Sequence, residues 1–157
     1  MDKFKQAKSL PYLGWVKEQL ALTKVRVRKW VEWNPDSDQY EAFFEGRSVI
    51  IPIPIDEWSF LVCLHEIGHI SSGDRVYSYL REYNAEQWAM KRAKEVYNIE
   101  CPEYLVDAKW YVTSHLLQDL FYSELEFDQV KAYVMEWIGH DKESLKKLYN
   151  QTTEYWY

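Results

Sequence analysis

The feature that most constrains how this chain can fold is an apolar run at residues 58–70 that contains the sequence H-E-I-G-H at His65–His69. On an α-helix, residues four apart lie on one face, so these two imidazoles project side by side and can bind one metal ion. Asp56 is a favourable N-cap for such a helix, and Gly73 is a residue at which it can stop. The pattern therefore predicts a helix from about 56 to 71 with a candidate metal site on it.

Zn²⁺ is the first candidate for this metal. It accepts imidazole nitrogen, and a catalytic zinc site has three protein ligands and a fourth position for water. Glu66 would then lie beside the water as a general base and would not bind the metal. The competing interpretation is a core helix that carries two histidines by chance.

A three-ligand site needs one more donor, and the acidic residues beyond Gly73 are the candidates. Glu82 and Glu86 lie four apart, and so on one face, of a second predicted helix at residues 74–97. One carboxylate could bind the metal while the other accepts the hydrogen of a ligand histidine, which fixes the tautomer of that ring. The alternative is an ordinary solvated helix face, where paired glutamates are common.

The other segments predict an α+β fold. Helical spacing extends from about Phe4 to Leu22, at least in its second half. Alternating segments at 25–33, 39–45 and 48–55 predict a small three-stranded antiparallel sheet, a meander with a turn at 34–38 and a second turn at Gly46 and Arg47. Beyond the two helices predicted above, three more segments have helical patterns, at 103–122, 127–138 and 144–149. The C-terminal half is therefore predicted to be mainly helical.

The third strand carries two prolines, which cannot donate hydrogen bonds to a sheet. Pro52 and Pro54 therefore predict that this strand lies at an edge, or that it leaves the sheet near its end. Because it leads directly into the predicted metal helix, residues 48–55 are also a candidate edge for an extended peptide to bind by strand addition.

Length and composition narrow the class of protein. The chain has 157 residues, 47% of them hydrophobic and 17% aromatic, so it fits one folded domain, residues 1–157. Its net charge is −6 with no block of basic residues, which does not suggest nucleic-acid binding. No segment has the length and apolarity of a signal peptide or a membrane span. Two cysteines, Cys63 and Cys101, without disulfide or C-x-x-C spacing predict reduced thiols and a cytoplasmic protein.

The segments His65–His69 and Arg81–Ala89 together resemble the two-motif signature of the glutamate-zincin metallopeptidases, or gluzincins. The segment Arg81–Ala89 is similar to the R-E-[FY]-x-A-D-x-x-A motif of HtpX-like proteases, and more loosely to the E-x-E-A-N-x-F-A motif of the ImmA/IrrE family. Small size and lack of membrane spans resemble ImmA/IrrE-type domains, which occur in phage and mobile elements, and minimal soluble gluzincins. The resemblance covers residues 50–93.

This resemblance implies a zincin-like metallopeptidase domain in which His65, His69 and Glu82 bind Zn²⁺ and Glu66 is the general base. Glu86 corresponds to the acidic or amide residue one turn after the third ligand, beside a ligand histidine. Two positions depart from the patterns: Asn84 stands where ImmA/IrrE sequences often have glutamate, and Glu86 replaces the usual Asp or Asn. If the chain is aligned in the other register, with Asn84 at the position of that glutamate, the third ligand would be lost.

The implied substrate is a protein or peptide, with a repressor as one candidate. Relatives supply a Tyr, His or Arg to the oxyanion, and Tyr111 and His115 are candidates for that role, although a histidine on a helical stripe is more often a core residue. The first alternative is a zinc-containing, non-catalytic regulatory or binding module of phage or mobile-element origin. The second is a helical interaction protein without a metal. Glu66 favours the enzyme, because a structural site needs no acid beside an open position.

Overall fold

The computed structural model describes residues 9–73 and 77–152, which form one sheet and a series of helices. The elements in chain order are α1 (Tyr12–Thr23), β1 (Arg26–Val31), β2 (Glu41–Phe43), β3 (Ser48–Pro52), α2 (Glu57–Ser72), α3 (Ser78–Tyr97), α4 (Pro102–Tyr122), a 3₁₀ helix (Phe127–Gln129), α5 (Ala132–Ile138) and α6 (Lys142–Thr152). The α+β class is confirmed.

The sheet is mixed, with the strand order β1-β3-β2. β2 and β3 are antiparallel, as predicted, and the turn between them has positive φ at Gly46 (77°) and Arg47 (46°). β1 runs parallel to β3, and its register shifts between Val27 and Lys29. The prediction of a purely antiparallel meander is therefore wrong, because β1 does not pair with β2 across the turn at 34–38.

Burial explains why β3 occupies the centre of the sheet. Four of its five residues are buried, and strands covered on both faces are typically continuous apolar runs. β1 carries three basic residues, which are better tolerated at an edge. The prediction that the third strand is an edge is wrong, and with it the idea that residues 48–55 present a free edge to a peptide. The other expectation for its prolines is confirmed, since β3 ends at Pro52.

Helix α2 begins where its sequence predicts. The Asp56 carboxylate accepts a hydrogen bond from the Ser59 backbone N–H at 2.7 Å, and Ser59 Oγ accepts one from the Asp56 N–H at 3.1 Å. This reciprocal cap satisfies two donors that the first turn leaves without helical partners. The helix is followed by Gly73 at φ +81°, a conformation that side chains with a Cβ rarely adopt.

The remaining helices largely follow the predicted pattern. The second half of the first predicted helix is confirmed, while residues 4–8 lie outside the described residues. α3 begins at Ser78, later than predicted, and residues 74–76 are likewise not described. The predicted helix at 127–138 is divided into a 3₁₀ turn and α5, and Val130 between them is extended. α6 is longer than the predicted segment at both ends.

Contacts divide the described chain into two compact units. The first holds residues up to 73 together with 84–104, and the second holds 77–83 together with 105–152, so the division passes through α3. In the first unit α2 packs against α1, β2 and β3. The core of the second unit comprises Tyr79, Val112, Leu116, Leu117, Leu120, Leu125, Val130, Val134, Ile138 and Leu145. Among the described residues, no helix combines the length and apolarity needed to cross a membrane.

Candidate metal centre

The two histidines of α2 direct the same ring nitrogen at each other. Nε2 of His65 and Nε2 of His69 lie 3.1 Å apart. Two nitrogens bound to one tetrahedral zinc ion at about 2.0–2.1 Å each would be about 3.3 Å apart, which is close to the observed separation. Two neutral imidazoles can share one hydrogen across this distance, or both nitrogens can face one cation.

A carboxylate joins the two histidines. His65, His69 and Glu82 each offer one ligand atom, and these atoms all lie within 4.8 Å of one another. Glu82 belongs to α3, one helical turn before Glu86. The grouping favours a cation over a shared hydrogen, because a carboxylate adds negative charge where two lone pairs already converge. These residues form a candidate metal site.

Glu86 lies at the other nitrogen of His65. Its Oε1 contacts His65 Nδ1, and both side chains are buried. A carboxylate at Nδ1 holds the hydrogen on that nitrogen, which leaves the Nε2 lone pair directed at His69. The two glutamates thus lie in different places: Glu82 groups with the two histidines, and Glu86 contacts Nδ1 of the His65 ring.

A tyrosine that the sequence did not indicate completes this arrangement. The hydroxyl of Tyr104, in the first turn of α4, donates a hydrogen bond to Glu86 Oε1 at 3.0 Å. Residue 104 lies 18 positions from Glu86, and its neighbours Cys101 and Pro102 give no signal of a functional site. Only the packing of α4 reveals its role.

Asn84, which takes the ligand position in the other register, lies between the two glutamates on α3. Residues two apart on a helix do not share a face, so Asn84 points away from the direction shared by Glu82 and Glu86. Its backbone carbonyl accepts a hydrogen bond from Ser72 Oγ at 3.3 Å. The observed grouping therefore follows the register in which Glu82 is the third donor.

Glu66 is a buried carboxylate, 8% exposed, next to His65 on α2. It lies close enough to Cys63 for its charge to act there: burial raises the pKa of the Cys63 thiol well above its ordinary value, and the charge of Glu66 adds to that effect. Cys63 is a core residue: it is fully buried and its Sγ donates to the carbonyl of Pro52 at 3.2 Å. The role of Glu66 as a base stays a prediction.

The candidates for oxyanion stabilisation, Tyr111 and His115, lie together on α4. Their ring centroids are 4.6 Å apart, and His115 Nδ1 lies 3.4 Å from Ser78 Oγ. These contacts lie within the second unit. The oxyanion role of either residue stays a prediction.

The donor set fits Zn²⁺. Two imidazole nitrogens and one carboxylate oxygen are the ligands of many catalytic zinc sites, and the buried carboxylate at His65 Nδ1 is the outer partner that such ligands usually have. Imidazole also suits copper, iron and nickel, so the residues alone do not select the metal. Comparison of the chain with protein families, curated proteins and solved structures finds no match.

Proposed function

We propose that the protein is a zinc-dependent metallopeptidase in which Glu66 is the general base. One observation carries the proposal: His65 and His69, whose Nε2 atoms lie 3.1 Å apart, are grouped with Glu82, while Glu86 contacts Nδ1 of the His65 ring. The gluzincin-like sequence H-E-x-x-H adds an acid directly after the first histidine, where hydrolysis would need it.

His65, His69 and Glu82 would hold the zinc ion. When bound, zinc would supply a Lewis acid that polarises a peptide carbonyl and lowers the pKa of a water. Glu66 would accept a proton from the attacking water and pass it to the leaving amine. Glu86 would keep the His65 ring in one tautomer and one orientation throughout. The proposed substrate is a protein or peptide, a repressor being one candidate.

One observation favours a second function, a zinc-containing regulatory or binding module that does not cut its partner. His65 and Glu66 are only 6% and 8% exposed, so these two residues offer little surface to a substrate. Half-buried His69 is the ligand through which solvent and substrate could reach the site. The two functions differ in whether a proton is moved, so Glu66 distinguishes them.

The test is Glu66→Gln, with Glu57→Gln as the matched control on the same helix. A general base contributes a factor of about 10²–10⁴ to a rate without touching the metal, so Glu66→Gln should lose hydrolysis while keeping zinc and fold. Glu57 is exposed in the first turn of α2, and its variant should keep all three. The measurements are zinc content, melting temperature and cleavage of a casein-type unfolded substrate.

The outcomes separate the proposals. Cleavage at an undiminished rate by Glu66→Gln would rule out the mechanism. A wild-type protein that binds zinc but cleaves no unfolded substrate and no partner captured with Glu66→Gln would favour the binding module. A wild-type protein that binds no zinc, and whose stability is the same with and without added zinc, would overturn both the metallopeptidase and the binding module.

A further inference from the structure

We infer that Tyr104 is a positioning residue of the metal centre, acting on His65 through Glu86. The inference rests on the proposed metal site. The Tyr104 hydroxyl and His65 Nδ1 both meet the same carboxylate oxygen, Oε1 of Glu86. Two donors converging on one oxygen fix both the position of that oxygen and the rotation of the carboxylate.

The burial of Glu86 makes this second donor necessary. The residue is 3% exposed, and a buried carboxylate is unstable unless hydrogen bonds replace its lost hydration. His65 Nδ1 contacts this carboxylate, and the tyrosine hydroxyl donates a hydrogen bond to it. The hydrogen bond from Tyr104 therefore helps to hold the Glu86 carboxylate in place without adding a positive charge that would compete with a metal.

Tyr104 is itself held in a fixed orientation relative to the helix that carries His65. It is 5% exposed, and its ring meets that of Trp58 edge to face, with centroids 5.6 Å apart and planes at 77°. Trp58 lies in the first turn of α2, about two turns before His65. The Tyr104 ring, whose hydroxyl donates to Glu86, is therefore packed against α2, the helix that carries His65.

The consequence is a connected series from Tyr104 to Glu86 to His65 Nδ1 that leaves His65 Nε2 available to a metal. Without the hydroxyl, the Glu86 carboxylate can rotate and binds the imidazole hydrogen less firmly. The His65 ring then samples the other tautomer, in which Nε2 carries a hydrogen and cannot bind a metal. Zinc affinity should fall because only the molecules in which His65 Nε2 carries no hydrogen can bind the metal.

The experiment compares Tyr104→Phe with Tyr97→Phe. Tyr97 belongs to the same unit, and its hydroxyl also forms hydrogen bonds with two side chains, Gln19 and Glu18, both at 2.9 Å. Zinc affinity is measured by competition with a chelator, and the tautomer of His65 is measured in metal-free protein from its imidazole ¹⁵N shifts. Tyr104→Phe should lower zinc affinity about 10-fold and raise the Nε2–H population of His65. Tyr97→Phe should change neither.

A double-mutant cycle with Glu86→Gln tests the route of the effect. If Tyr104 acts through Glu86, adding Tyr104→Phe to Glu86→Gln should lower zinc affinity no further. Additive losses would show that Tyr104 acts by another route and would overturn the inference. Unfolding of Tyr104→Phe would also overturn it, because the tyrosine would then be a structural residue.

The two readouts distinguish this inference from the proposed function. Unchanged zinc affinity and an unchanged His65 tautomer in Tyr104→Phe would overturn the role of Tyr104 and leave the metallopeptidase proposal standing. A wild-type protein that binds no zinc would overturn the proposed function, and the inferred metal-positioning role with it. Zinc binding without peptidase activity would remove the enzyme proposal and leave the inference intact.

Discussion

A Cβ atom on Gly68 would lie 2.9 Å from the backbone carbonyl oxygen of Ala85. It would also lie 3.3 Å from the Cα of Ala85, so the backbones of α2 and α3 approach each other closely at this point. Gly68 is next to His69 in the sequence, and Ala85 is next to Glu86. The absence of a side chain at residue 68 therefore allows α3 to bring Glu86 against the ring of His65.

Gly68→Ala should lower both stability and metal affinity. The added methyl meets backbone, which cannot rotate away, and overpacking of this kind typically costs about 1–3 kcal/mol of unfolding free energy. Denaturant unfolding and zinc titration measure the two effects. Gly14→Ala on α1 is the control, since a Cβ there has no atom within 4 Å, and it should raise stability by up to about 1 kcal/mol. Equal unfolding free energies and equal zinc affinities for Gly68→Ala and Gly14→Ala would contradict the close approach of α2 and α3.

The purified protein should bind one Zn²⁺ per chain, and loss of a ligand should remove most of that affinity. His65→Ala, His69→Ala and Glu82→Ala each delete one of the three grouped donors. Metal analysis after dialysis gives the stoichiometry. His140→Ala is the control, because this imidazole lies near Ser144 Oγ at 3.0 Å. Full zinc occupancy in His65→Ala would exclude the site.

Removing the metal should lower the melting temperature. Zinc that binds only the folded state at 100 times its dissociation constant adds about 2.7 kcal/mol to the unfolding free energy. In a chain of this size that corresponds to roughly 5–10 °C. Thermal unfolding with zinc and with a chelator measures the shift, and Glu82→Ala should abolish it. A wild-type melting temperature independent of zinc would contradict the prediction.

Glu86 and Asn84 should differ sharply on substitution. Glu86→Ala removes the partner of His65 Nδ1, and loss of such a partner typically costs 10- to 100-fold in metal affinity. Asn84→Ala removes a side chain on another face of α3 and should leave affinity within about twofold. Chelator competition measures both. The reverse order of effects would show that the other register of the sequence match is correct.

The local features of the candidate site could be read from the sequence. Helix periodicity places His65 and His69 side by side whatever lies around them, since it depends only on the four-residue spacing. The cap at Asp56 and the stop at Gly73 depend on residues within one turn of the helix end. Glu82 and Glu86 could likewise be assigned to one helical face, although the geometry alone left open which of them joins the histidines.

Everything that required two distant segments to meet was decided by the tertiary structure. The place of β3 at the centre of the sheet depends on what covers its two faces. The turn residues at 34–38 predicted that β1 and β2 are neighbours, and they carry no information about that burial. The approach of α3 at Gly68 and the hydrogen bond from Tyr104 join residues 17 and 18 positions apart. The sequence determined which side chains share a helical face, because that follows from backbone geometry over one or two turns. Only the packed structure decided which faces meet, because that depends on the burial of apolar surface from the whole unit.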